Sequence, residues 1–116
     1  MAVIACYYFT TAAGRSPVRE FIDSLDLKSQ RKFFFVKLLL EEFGHRLPEP
    51  HAKYLGDGIF ELRFTGREGA VRILYFFFRQ GKTILTNGFI KKTDKTPEHE
   101  KHLAMERKKK FLESNE

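Results

Sequence analysis

Ile59-Phe60-Glu61-Leu62-Arg63-Phe64-Thr65-Gly66-Arg67-Glu68-Gly69-Ala70-Val71-Arg72-Ile73-Leu74-Tyr75-Phe76-Phe77-Phe78 reads as two strands folded back on each other. In the first strand Phe60, Leu62 and Phe64 point one way, and Glu61, Arg63 and Thr65 the other, the period-two pattern of a pleated strand. Gly66 to Gly69 supply a four-residue hairpin loop. Ala70 to Phe78 return, with Val71, Ile73, Tyr75 and Phe77 on the core face. A sheet with an apolar face needs another layer to cover it, so the rest of the chain must supply helices or a second sheet.

Both flanks supply more. Downstream, Gln80-Gly81 is a tight turn and Lys82 to about Lys91 a further strand. Upstream, Gly56-Asp57-Gly58 is a turn preceded by a short strand around Ala52 to Leu55, with Pro48 and Pro50 in the linker before it. Further upstream, Val18, Phe21, Ile22 and Leu25 follow Ser16-Pro17 at the spacing of one helical face. Asp26 is placed to cap a second helix over Leu27 to Phe43, stopped by Gly44. On that helix a wheel gives a core stripe of Phe35, Val36, Leu39, Leu40 and Phe43, with Gln30, Lys37 and Glu41 opposite. Phe34 and Leu38 fall outside the stripe, as scattered surface hydrophobes or as a contact for a partner protein. Val3 to Phe9 is a first strand. Thr96-Pro97 opens a C-terminal helix to about Leu112, with Arg107 to Lys110 as a solvated basic face. The order predicts an α+β fold, an antiparallel sheet of four to five strands with the first two helices on one face, and one domain over residues 1–116.

Composition narrows the class. The chain has 116 residues, 42% hydrophobic, enough to bury roughly two-thirds of its unfolded surface without a disulfide or metal. Cys6 is the only cysteine, which excludes an intramolecular disulfide and a cysteine-based zinc site. No metal or other cofactor is expected, since no carboxylate pattern around His99 and His102 makes a recognisable metal site and no glycine-rich phosphate loop or nucleophilic serine motif occurs. Neither a signal peptide nor a membrane helix is expected, so the setting reads as cytoplasmic. Lys and Arg outnumber Asp and Glu by 21 to 15, which favours nucleic acid or acidic partners if the excess is gathered on one face.

The hairpin gathers it. If Thr65 pairs with Ala70, Arg63 lies opposite Arg72 on the same face. Like charges directly opposite are destabilising. They are tolerable if they bracket an anion such as a phosphate, or if Glu61 or Glu68 neutralises them. A two-residue Gln80-Gly81 loop pairing Arg79 with Lys82 places Phe89 beside Arg72. Asn87 and Lys91 would share that face, with Ile84 and Ile90 turned to the core. Phe89 is then either a ring for stacking on an exposed base or part of a second apolar layer under the terminal helix. Lys91, Lys92 and Lys95 extend the basic character beyond the strand; His45, His51 and Lys53 lie on the other side.

Four segments carry a resemblance: Gly14 to Phe21, His51 to Arg63, Val71 to Tyr75, and Gly88 to Pro97. In this order they resemble the phage-derived HigB-like toxins of the RelE/ParE superfamily. The resemblance implies a RelE-like fold and the toxin half of a type II toxin–antitoxin pair. It implies a metal-independent endoribonuclease that cuts mRNA on the ribosome, and a helix-turn-helix, HigA-like antitoxin as partner. It puts Arg72 at the scissile phosphate, Arg63 at a basic position one strand away, Lys91 or Lys92 at the basic position after the last strand, and Lys53 at a recurring lysine. His51 lies near the position of a proposed general base. Phe89 departs from the pattern, standing where some relatives have a histidine or tyrosine. That departure suits ParE-like relatives, which bind DNA gyrase and lack nuclease residues, or a degenerate toxin that only binds its antitoxin.

Overall fold

The structure is a computed structural model that describes residues 5–115. Its elements are β1 (Ala5–Tyr8), α1 (Pro17–Asp23), α2 (Leu27–Phe43), a 3₁₀ turn (Gly44–Arg46), β2 (Ala52–Gly56), β3 (Ile59–Gly66), β4 (Gly69–Phe78), β5 (Lys82–Lys91) and α3 (Glu98–Ser114). Val3 and Ile4 of the expected first strand lie outside the described residues. The sheet order is β1-β5-β4-β3-β2. The four later strands are antiparallel, but β1 pairs parallel with β5, so the sheet is mixed rather than antiparallel. Hairpin turns dictate neighbours only for strands adjacent in sequence; β1 reaches its place across the whole chain, and no local signal fixes its direction.

The sheet is covered on both faces. Val18 and Ile22 of α1, Leu25 in the connection after it, and Phe33, Val36 and Leu40 of α2 pack against Leu62, Val71, Ile73, Tyr75 and Leu85. On the other face Ala104 of α3 closes over Phe9, Ile59, Leu74, Phe76, Ile84 and Phe89. Gly88 lets α1 press close on β5: a Cβ there would lie 2.5 Å from Phe21 Cδ2. No helix is long and apolar enough to cross a membrane among the described residues.

Two details move side chains away from where alternation alone puts them. The first is a bulge in β5. Leu74 pairs with Asn87 but Tyr75 pairs with Leu85, which leaves Thr86 over. Its hydroxyl donates to Leu74 O at 3.1 Å, so the extra residue is held rather than frayed. One inserted residue flips the facing of everything beyond it: Ile84 lies under α3, while Ile90 packs on the α1/α2 side. Arg107 Nη1 donates to Thr86 O at 2.8 Å, so Arg107 pins α3 to the bulge instead of joining a solvated basic face.

The second detail is the roll of α2. Its buried residues are Ser29, Phe33, Val36 and Leu40, spaced 4-3-4; Val36 and Leu40 of the expected stripe are buried and Leu39 packs partly on the core, but Phe35 and Phe43 turn outward. Phe35 is 60% exposed and Phe43 38%. Lys37 and Glu41, expected on the outer face, form an ion pair at 3.3 Å, and Glu41 also accepts the Cys6 N–H. Apolar residues occur all round this helix, so no wheel singles out one buried face. Polar contacts at its N-terminal end decide the roll. Asp26 accepts the Ser29 N–H, Ser29 Oγ accepts the Arg67 N–H, and Lys32 Nζ donates to Thr65 O. These contacts lash the start of α2 to the β3–β4 turn.

Candidate functional site

β3 and β4 pair Thr65 with Ala70, and Arg63 directly opposite Arg72. Glu61, two residues before Arg63, points the same way and is 1% exposed. One of its oxygens lies 3.5 Å from Arg63 Nε and 3.5 Å from Arg72 Nε, and the other accepts the Thr96 hydroxyl. Of the two carboxylates in range of these arginines by sequence, Glu61 thus sits between them, while Glu68 is exposed in the turn. Arg63 also meets the exposed Glu49 at 3.3 Å. Arg72 Nη1 donates to Val71 O at 3.0 Å.

The compensation is partial. Two guanidiniums share one buried carboxylate, and neither Nε completes a hydrogen bond among the described residues. Burial holds the Arg72 guanidinium below the ordinary arginine value; Glu61 opposes that shift and Arg63 adds to it. A guanidinium so placed remains cationic at neutral pH. It is a buried cation with an underused donor set, the property that lets it take a phosphate oxygen.

A cleft of about 430 Å³ opens beside the pair, lined by Lys32, Phe35, Val36, Pro50, His51, Arg63, Phe64, Thr65 and Arg72. It exists because β2 is short. Ala52 pairs with Leu62, and His51 O accepts the Arg63 N–H at 2.8 Å. Beyond that point the chain turns off through Pro48–Pro50, and the end of β3, paired with β4 on one side, has no strand on the other.

The structure therefore brings His51, Arg63 and Arg72 to one cavity. Lys53, Lys91 and Lys95 line a different hollow of about 180 Å³ on the α3 side, with Glu61, Asp94 and Lys101. Lys92 is exposed beyond the end of β5. Phe89 does pair with Arg72, but it is 8% exposed and belongs to the core under α3. A ring with no free face cannot stack on a base, which corrects its assignment as an RNA contact. Phe34 and Leu38 are 50% and 63% exposed, so neither the following loop nor α3 folds over them. Sequence reasoning missed Phe35 and Lys32 at the cleft, and Thr96 behind it. Only the 4-3-4 spacing from Ser29 to Leu40 could have turned Phe35 outward.

Other chemistry finds less support. Burial, with Glu41 nearby, pushes the Cys6 thiol up to about 12, so it is no nucleophile at neutral pH. Among the described residues no group of three or more His, Cys, Asp or Glu is arranged to hold a metal ion.

A mixed five-stranded sheet with two helices on one face and a C-terminal helix on the other fits the RelE-like fold. Comparison with known families agrees. The family described as Phage derived protein Gp49-like (DUF891) matches residues 20–109, and the chain belongs to that family, which lies within the RelE/HigB-type toxin group. No curated protein matches the chain.

Proposed function

We propose that this protein is the HigB-like toxin of a type II toxin–antitoxin pair and cuts mRNA on the ribosome in the cytoplasm. The observation that carries the reading is the Arg63–Arg72 pair facing one cleft with His51. In the proposed reaction the ribose 2′-hydroxyl attacks its own 3′-phosphate. The O2′–P bond forms and the P–O5′ bond breaks, leaving a 2′,3′-cyclic phosphate and a 5′-hydroxyl. No metal is needed. Arg72 and Arg63 stabilise the charge gathering on the phosphate oxygens, through donors held in place before the reaction. His51 accepts the 2′-hydroxyl proton, and a lysine or water returns one to the 5′ oxygen. Lys53, Lys91, Lys92 and Lys95 then serve the RNA backbone on the α3 side. The ribosome supplies substrate positioning, which lets so sparse a site suffice.

Two features favour the ParE-like rival. Glu61 takes up part of the arginine charge, and the residue beside Arg72 on β5 is a buried phenylalanine rather than a polar group. Induction of the chain alone in bacteria separates the readings. New mRNA 5′ ends within coding regions are expected; intact mRNA with gyrase-linked DNA breaks would replace the nuclease by the rival. Intact mRNA with no DNA breaks would leave a chain that only binds its antitoxin.

The antitoxin, in this reading a helix-turn-helix HigA-like protein, covers Phe34 and Leu38. They stand one helical turn apart on the outer side of α2, an apolar centre with Arg31 and Glu42 around it. Changing both to serine is expected to lower antitoxin affinity by at least about tenfold, with little change in melting temperature because both are exposed. Unchanged affinity would remove this face from the interface.

A further inference from the structure

We infer that Phe35 is the platform on which the cleft receives an unstacked nucleobase of single-stranded RNA. The inference rests on the nuclease reading and names what that reading lacks once Phe89 is buried, a ring that can touch the substrate.

Phe35 is 60% exposed, lies outside the Ser29–Phe33–Val36–Leu40 stripe that packs on the sheet, and lines the same cleft as Arg63, Arg72 and His51. Pro50, also exposed, gives that cleft a second apolar surface. Lys32, one turn earlier on α2, lines the cleft too, and its ammonium is fixed by Thr65 O at 2.8 Å. The ring is therefore accompanied by a positioned cation, and Arg63 and Arg72 line the same cavity.

An aromatic face together with several cations is the composition that takes a base and its phosphate at once. A cavity of about 430 Å³ is within the range that encloses a small ligand. Charge favours a polyanion over an acidic peptide less than the ring does, since every base offers a flat π-face to stack on. The neighbouring Phe34 has a different setting. It borders a hollow with Tyr8, Arg19, Ile22 and Asp23, which Arg63 and Arg72 do not line. Adjacent phenylalanines thus serve two surfaces, Phe34 a partner protein and Phe35 the substrate.

The chain contains no tryptophan, so Phe35→Trp installs a single reporter. The probe is a short single-stranded RNA with 2′-O-methyl riboses, which lacks the attacking hydroxyl and cannot be cut by this route. Its binding is measured independently by anisotropy of an end label. Quenching of Trp emission that saturates with binding is expected, and an oligomer with abasic residues should bind more weakly and, once bound, without quenching. Leu27→Trp, 69% exposed at the first residue of α2 and outside the cleft lining, should not respond. Phe35→Ala should weaken binding on the order of 10- to 100-fold with an unchanged melting temperature, and Phe35→Tyr should restore it. Bound RNA without quenching, or wild-type affinity in Phe35→Ala while Arg72→Ala binds weakly, would overturn the platform and leave the nuclease reading standing. No binding by any variant, wild type included, to free RNA or to ribosome-held mRNA would overturn both.

Discussion

Arg72→Ala lowers the rate of RNA cleavage on the order of 100- to 1,000-fold, the usual cost of removing one preorganised donor from a developing oxyanion. The loss should appear in single-turnover rates at saturating substrate, beyond any loss of binding, since the phosphate charge the guanidinium meets grows in the transition state. The fold should survive, because Glu61 keeps Arg63 and the Thr96 hydroxyl as partners. Arg72→Lys preserves the charge but not the planar fork, so it should recover only part of the rate. A folded Arg72→Ala protein cutting at the wild-type rate would remove Arg72 from the mechanism.

Phe89→Ala should cost roughly 3–5 kcal/mol of stability, the range for deleting a buried aromatic ring. That is a large part of the stability of an ordinary domain and should be plain in a thermal melt. Phe89→Leu refills much of the space and should keep both the fold and cleavage. The comparison discriminates because a stacking ring would give the opposite pattern. Its loss would spare the melt and reduce RNA binding, and leucine would not replace it.

The hairpin was the most legible part of the chain. Alternation through Phe60–Thr65 and Val71–Phe77 gave the Arg63–Arg72 pairing directly, although Gly66 and Gly69 also pair and leave only Arg67 and Glu68 in the turn. The next hairpin was right at Arg72–Phe89 through two displacements that cancel. Lys82 pairs with Phe78 rather than Arg79, one residue out of register, and the Thr86 bulge restores the count beyond it. Gln80 and Gly81, both at positive φ, mark the turn without fixing which residues flank it. A bulge held by one threonine hydroxyl has no compositional signal.

The site was legible in part for the same reason. Arg63 and Arg72 follow from alternation, which also put Glu61 on their face as one possible neutralising group. The separation of His51 from Lys53 and Lys91 could not be read off, because it depends on where β2 begins. Phe35 was hidden by the crowd of apolar residues on α2, whose roll is decided by Ser29 and Lys32 reaching across to the β3–β4 turn.

The chemistry of the ends left on RNA tests the central claim most directly. Purified protein is added to translating ribosomes, with the Arg72→Ala protein alongside, and both termini at each new break are identified. The account predicts 5′-hydroxyl and 2′,3′-cyclic phosphate ends, abundant with the wild type and nearly absent with the variant. Ends bearing a 5′-phosphate, or breaks equally frequent with Arg72→Ala, would contradict it.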